Sequence, residues 1–137
     1  PNVTDIASFA LRAEEIGADA VSAINTLLGM KIDIKSRRPH FANKVAGLSG
    51  PAVRPVAVRI VYQIYQKVKI PIVGMGGISN IEDVLEFIMA GASAVSIGTA
   101  SMVEPAVSGK LAGQLEDYMK KEGISSLDEI RGAAHRV

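Results

Sequence analysis

The stretch IPIVGMGGISNIEDVLEFIMAGASAVSIGT, from Ile70 to Thr99, decides the fold. Its opening, Ile70-Pro71-Ile72-Val73-Gly74-Met75, has the length and composition of a buried strand. Proline is tolerated at its start because a first residue need not donate to the ladder. Gly76-Gly77 then breaks the chain. Ser79-Asn80-Ile81-Glu82 has the spacing of a capping box, and Val84, Leu85, Ile88 and Met89 supply the apolar stripe of a helix that Gly91 ends. Ala94-Val95-Ser96-Ile97 is a second apolar run, stopped by Gly98-Thr99. Strand, helix and strand in so short a span form a right-handed parallel crossover.

The same alternation extends in both directions. Upstream, the spacing predicts a helix over Arg54–Lys67, with Val58, Val61, Ile64, Tyr65 and Val68 buried. Farther back, Ala18-Asp19-Ala20-Val21-Ser22-Ala23-Ile24-Asn25 reads as a strand. A helix precedes it, with Ile6, Phe9, Ala10, Ala13 and Ile16 on one face, Thr4 as its cap and Gly17 as its left-handed stop. From Thr26 to Pro51 the pattern dissolves into a long connection. Within it Met30-Lys31-Ile32-Asp33-Ile34-Lys35 alternates with period two, as one arm of a small hairpin would. A connection of this length inside a compact domain is usually functional. Downstream the chain reads as helical, with Leu111, Leu115, Tyr118 and Met119 in one stripe and a second capping box at Ser126-Leu127-Asp128-Glu129.

Glu15-Ile16-Gly17-Ala18-Asp19-Ala20-Val21-Ser22 is echoed 74 residues later by Met89-Ala90-Gly91-Ala92-Ser93-Ala94-Val95-Ser96. Repeated strand–helix units of this kind build a (β/α)8 barrel, which typically takes about 250 residues. Three strands cannot close one. The expectation is an α/β fold. Residues 1–137 form the C-terminal half of a TIM barrel, with parallel strands and a hairpin-containing insertion. The remainder, at least the strand before Pro1, lies outside this sequence, which reads as part of a longer product.

Composition narrows the function. Fifteen Lys and Arg against fourteen Asp and Glu give a net charge of +1, with no electrostatic case for nucleic acid or an anionic membrane. Aromatic residues are 4% and Trp is absent, which disfavours base stacking. The absence of cysteine excludes disulfides, thiolate metal sites and a cysteine nucleophile within these residues. No apolar run approaches the ~18–20 residues of a membrane span. The opening Pro1-Asn2-Val3-Thr4-Asp5 has no basic region leading an apolar core, so no signal peptide is expected and a cytoplasmic location follows. His40 and His135 lack neighbours at metal-ligand spacing, and no metal is expected.

In a barrel of this type the active face lies at the carboxyl ends of the strands. Asn25-Thr26, Gly47-Leu48-Ser49-Gly50-Pro51, Gly76-Gly77 and Gly98-Thr99 all fall there. Glycines at strand–helix junctions let a phosphate approach backbone N–H groups closely, aided by the following helix dipole, and Thr99 adds a hydroxyl. The alternative is that these glycines only make tight turns. Asn25 offers donor and acceptor together, suited to a ring amide or carboxylate, or else caps its own loop. Ser49-Gly50 brings an N–H to a cofactor or forms a turn. Lys31, Lys35, Arg37 and Arg38 are a solvated face or a contact with a substrate, a partner or a second copy. Glu82, Asp83 and Glu86 read as structural.

Five segments together resemble the dihydroorotate dehydrogenase family: Asn25-Thr26-Leu27-Leu28-Gly29-Met30, Ile32-Asp33-Ile34-Lys35, Gly47-Leu48-Ser49-Gly50-Pro51-Ala52, Gly74-Met75-Gly76-Gly77-Ile78 and Ile97-Gly98-Thr99-Ala100. The resemblance is greatest to the catalytic subunit of the two-subunit, NAD-linked branch of its soluble class. It implies a (β/α)8 barrel holding FMN and oxidising dihydroorotate to orotate in pyrimidine biosynthesis. It implies that Ile24 and Gly50 line the flavin, that Gly76, Gly77, Gly98 and Thr99 hold its phosphate, and that Asn25 and Thr26 bind the substrate. The soluble class takes its proton with a cysteine on a loop in the first half of the barrel. No catalytic residue is therefore expected within these residues, and a flavin-contacting lysine would fall just before Pro1. The implied partners are a homo-oligomer or the missing N-terminal half, and an electron-transfer subunit carrying FAD and an iron–sulfur cluster. Another phosphate- or FMN-binding barrel enzyme, or a non-catalytic half-barrel, stands as the alternative.

Overall fold

The computed structural model of the protein describes residues 1–136. Helix α1 (Ile6–Glu15) leads into strand β1 (Val21–Ala23). A hairpin excursion follows, made of β2 (Leu27–Met30), β3 (Ile32–Asp33), β4 (Arg38–Pro39) and β5 (Val45–Leu48). Then come α2 (Arg54–Tyr65), β6 (Ile72–Met75), α3 (Ile81–Ala90), β7 (Ala94–Ser96), α4 (Thr99–Val103) and α5 (Val107–Glu122). Strands β1, β6 and β7 form one sheet in the order β1-β6-β7, parallel throughout.

The echoed octapeptides occupy equivalent places. In each, a helix closes with the same pair of bonds. Gly17 N–H donates to Glu14 and Ala18 N–H to Ala13, while Gly91 N–H donates to Ile88 and Ala92 N–H to Phe87. These are the bonds of a Schellman stop, and φ is positive at both glycines. Each stop feeds a strand, and the two strands flank β6.

The helices cover one face of the sheet. Ile72 and Gly74 of β6 point into that interface, with Ala57, Ile60, Val61 and Ile64 of α2 and Val84, Phe87 and Ile88 of α3 buried around them. Phe87 is fully buried and lies where a side chain on Gly74 would stand, 2.6 Å from the position of its Cβ. The opposite face carries Ser22, Val73, Met75, Ala94 and Ser96, which are partly or wholly exposed. The register sets Ser22, Val73 and Ala94 in one row and Met75 and Ser96 in another.

Several local expectations are corrected. Asp5, not Thr4, caps α1, its carboxylate accepting from Ser8 N–H. Ala7 and Ala10 are the buried residues of that helix, while Phe9 and Ile16 are 67% and 72% exposed. The reason is that β1 is an edge strand, so the outer flank of α1 has no neighbour here, and Phe9 lines a groove beside Ile6 and Val21. The hairpin is longer than its alternating arm suggested. β2 pairs with β5 from Leu27↔Leu48 to Met30↔Val45, and β3 pairs with β4 beyond them. Helix α3 is capped by Asn80 with Asp83 as its reciprocal partner, one residue later than the Ser79–Glu82 spacing implied. The second capping box does form between Ser126 and Glu129, but it opens only a 3₁₀ turn. Past it the chain folds back over α3. Gly132 N–H donates to Ile88, and the His135 ring stacks on Tyr62 with Nε2 3.0 Å from the Ala90 carbonyl. No helix among the described residues is long and apolar enough to cross a membrane.

Candidate functional site

The carboxyl ends of β1, β6 and β7 open on one cleft of about 370 Å³. Ile24, Asn25, Thr26, Gly50, Gly76, Gly77, Gly98 and Thr99 all line it, so the residues expected to bind cofactor or substrate are brought together there. They are separated by up to 75 positions in the chain and meet because three parallel strands end side by side. The volume is within the range of about 300–1,000 Å³ typical of small-molecule sites.

Each loop is held by local chemistry. Gly50 follows β5 with φ +87° and starts the 3₁₀ turn Pro51–Val53 that leads into α2. Gly76 and Gly77 follow β6 with φ +135° and +78°. A Cβ on Gly77 would stand 2.5 Å from the Gly50 carbonyl oxygen, so these two loops touch backbone to backbone. Thr99 Oγ1 donates to Ser49 Oγ at 2.9 Å, which ties the loop after β7 to the end of the hairpin. At the hairpin's base Asn2 accepts from Leu28 N–H and donates to the Thr26 carbonyl. Nothing in the local sequence pattern marks Asn2 for this clamp, which acts across 26 positions.

The polar inventory of the cleft is distinctive. Its lining contains no Asp, Glu, Lys, Arg, His or Tyr among the described residues. It offers hydroxyls from Ser22, Ser49, Ser96 and Thr99, the amide of Asn25, and loop N–H groups. The N–H groups of Gly77 and Gly98 donate to no protein acceptor among the described residues, whereas the register Met75↔Ser96 turns the Gly76 N–H toward the Ser96 carbonyl. Donors without acceptors and without a carboxylate nearby make a surface for an anion.

Helix-dipole support is weaker than the sequence implied. Helix α4 has only five residues, and the first turn of α3 is already served by Asn80 Oδ1, which accepts from Asp83 N–H. The loop amides and hydroxyls therefore carry the polarity of the cleft. Asn25 is exposed, and its Oδ1 accepts from Thr26 N–H at 2.7 Å, which realises the loop-capping alternative on the acceptor side. Its Nδ2 donates to no protein group among the described residues. Ile24 is buried, and its N–H donates to Met75, so it packs as an apolar wall. Sequence reasoning missed Ser22, Met75 and Ser96. They belong to strand interiors, and only the sheet's register shows that they face the cleft.

Lys31, Lys35, Arg37 and Arg38 lie on the hairpin, exposed and away from the cleft. Asp33 at its turn accepts from the N–H groups of Ser36 and Lys35, which holds its carboxyl below the ordinary range.

Parallel strands, helices on one face and a glycine-lined cleft at the strands' carboxyl ends are the features of part of a (β/α)8 barrel. The family description "Dihydroorotate dehydrogenase" matches residues 1–119. The catalytic subunit of dihydroorotate dehydrogenase B (NAD(+)) from Desulforudis audaxviator is 56% identical over the whole chain. The subunit of the same name from Desulforamulus reducens is 55% identical over 98% of it. The crystal structure of DHODH in complex with ferulenol from Eimeria tenella superposes with a TM-score of 0.76 at 27% identity, covering 96% of this chain and 35% of that one. The chain belongs to the dihydroorotate dehydrogenase family. It spans about 45% of the length of the bacterial relatives it matches.

Proposed function

We propose that these residues supply the FMN-phosphate side, and part of the substrate side, of a flavin-dependent enzyme that oxidises dihydroorotate to orotate. One observation carries the reading. Three loops distant in sequence bring Gly50, Gly76-Gly77 and Gly98-Thr99 to a single cleft whose free donors have no protein acceptor. The lining suits a flavin phosphate. It is rich in N–H and O–H donors, free of carboxylates that would repel the anion, and open at Gly98, where a Cβ would meet no protein atom within 4 Å.

In this reading Gly76, Gly77, Gly98 and Thr99 hold the phosphate, and Ile24 and Gly50 line the ring system. Bound FMN supplies the hydride acceptor. Asn25 and Thr26 bind the substrate, Asn25 through its free Nδ2, which suits a carboxylate or ring carbonyl. The contribution of this chain is binding, orientation and exclusion of water. With no titratable side chain in the cleft, the proton of the substrate passes to a group on the remainder of the barrel. Residues 1–137 thus act as one half of a barrel completed by further chain.

Association follows from exposed apolar surface. Edge strand β1 and its neighbour Phe9 await the preceding part of the barrel. The hairpin exposes Leu28, Met30, Ile32 and Ile34, which suits a second copy or an electron-transfer subunit of the kind that the relatives' name "catalytic subunit" implies. That subunit would carry FAD and an iron–sulfur cluster toward NAD.

The test is an absorption spectrum of the purified full-length protein, recorded before and after anaerobic addition of dihydroorotate. A flavin spectrum that bleaches on addition supports the reading. A colourless protein that takes up no FMN refutes it.

A further inference from the structure

Among the described residues Asp83 is the single buried charged or polar side chain, 2% exposed, and no step described above uses it. Its two carboxylate oxygens face two different loops. Oδ2 accepts from Ser79 N–H at 2.8 Å, from Ser79 Oγ at 2.9 Å and from Asn80 N–H at 3.3 Å, all in the segment leading from Gly77 into α3. Oδ1 pairs with the guanidinium of Arg54, the first residue of α2. Arg54 Nε also pairs with Glu86, at 3.2 Å.

The Arg54 stem lies against the loop it thereby anchors. A Cβ on Gly77 would meet the Gly50 oxygen at 2.5 Å, Pro51 Cα at 3.0 Å and Arg54 Cβ at 3.1 Å. The loop after β5 and the loop after β6 are thus in backbone contact at the cleft and are bolted together just behind it by one ion pair. Arg54 does not line the cleft, and with two carboxylate partners it is not free to turn into it.

We propose that Arg54 and Asp83 are positioning residues for the anion cradle. Their ion pair sets the spacing between Gly50 and Gly77, so the free N–H groups are arranged before a phosphate arrives. The proposal deepens the FMN-phosphate reading and rests on it. A preorganised site loses less freedom on binding than a loose one, so slackening the bolt weakens binding without touching the ligand. A purely structural pair would lower stability and leave affinity alone.

The experiment uses the full-length protein, stripped of flavin and titrated with FMN well below its unfolding temperature. Hydrogen exchange at residues 76–80 is followed in parallel. Arg54→Gln removes the pair while keeping a half-buried polar side chain. The expected result is at least a tenfold rise in the Kd for FMN, with faster exchange at 76–80, and partial recovery in Arg54→Lys. Ser79→Ala, at an exposed position, removes one donor to Asp83 and is expected to raise Kd about threefold. It provides the readout if Arg54→Gln does not fold. If wild type binds FMN and both variants stay within twofold of it, the positioning role is overturned and the phosphate reading stands. If wild type binds no FMN, the phosphate reading falls and the proposal with it.

Discussion

Replacing Gly98 separates ligand binding from folding. Its φ is −105°, so no left-handed penalty attaches to a side chain there. A Cβ built on it has no protein atom within 4 Å. Gly98→Ala and Gly98→Val should therefore change the folded state little, within about 0.5 kcal/mol as for ordinary surface positions. Any larger effect must come from what occupies the space in front of Gly98. If a phosphate oxygen accepts from this N–H, a side chain that holds it off forfeits a hydrogen bond to a charged group, worth about 1.5–3 kcal/mol. That corresponds to a rise in Kd of about 10- to 150-fold. The assay is fluorescence titration of FMN into flavin-free full-length protein, with thermal unfolding of the same flavin-free samples. The expected pattern is unchanged unfolding, a raised Kd for Ala and a greater rise for Val. Kd values within twofold of wild type for both variants would refute the assignment of Gly98 to the phosphate.

Gly77→Ala should behave oppositely. Its φ of +78° and the 2.5 Å approach to the Gly50 oxygen mean that stability and FMN affinity fall together, seen as a lower unfolding temperature and a weaker titration. Asn25→Ala should reduce dihydroorotate turnover more than flavin content, and equal losses in both would mark Asn25 as a loop cap only. Phe87→Ala, at the best-buried large side chain, should cost about 3–5 kcal/mol in denaturant unfolding, because α3 and β6 close over it. Glu129 is held below its ordinary value of 4.5, chiefly by the Ser125 hydroxyl and then by the Ser125 and Ser126 N–H groups. Its contribution to the C-terminal turn is therefore complete above that value and lost as pH falls through the folded-state one. An NMR titration of Glu129 should show a midpoint under 4.5, and Glu129→Gln should abolish the pH dependence of exchange at residues 125–131.

Much of the molecule was legible before folding was considered. Each of β1, β6 and β7 is an apolar run closed by a polar or glycine residue, and the helix stops at Gly17 and Gly91 announce the repeat. These features depend on bonds between residues a few positions apart, so a linear pattern records them. The cap of α3 shows how fine that record is. Ser79 and Asn80 are both good caps, and the choice of Asn80 follows from Asp83, which is buried against α2 and pairs with Arg54. The stripe expected on α3 included Leu85 and Met89 but omitted Phe87, which is fully buried under Gly74. Which side of a helix faces a sheet is set by the crossover as well as by the helix's own periodicity.

The sequence by itself determined the alternation of strands and helices, the glycines at the strand ends and the family to which they belong. It did so because turn chemistry and apolar runs are local. The tertiary structure alone decided that Ser22, Met75 and Ser96 share a face, that Thr99 reaches Ser49, and that Arg54 and Asp83 join two loops behind the cleft. Those pairings span tens of residues, and no local bond encodes them. They come into being when parallel strands set their carboxyl ends side by side.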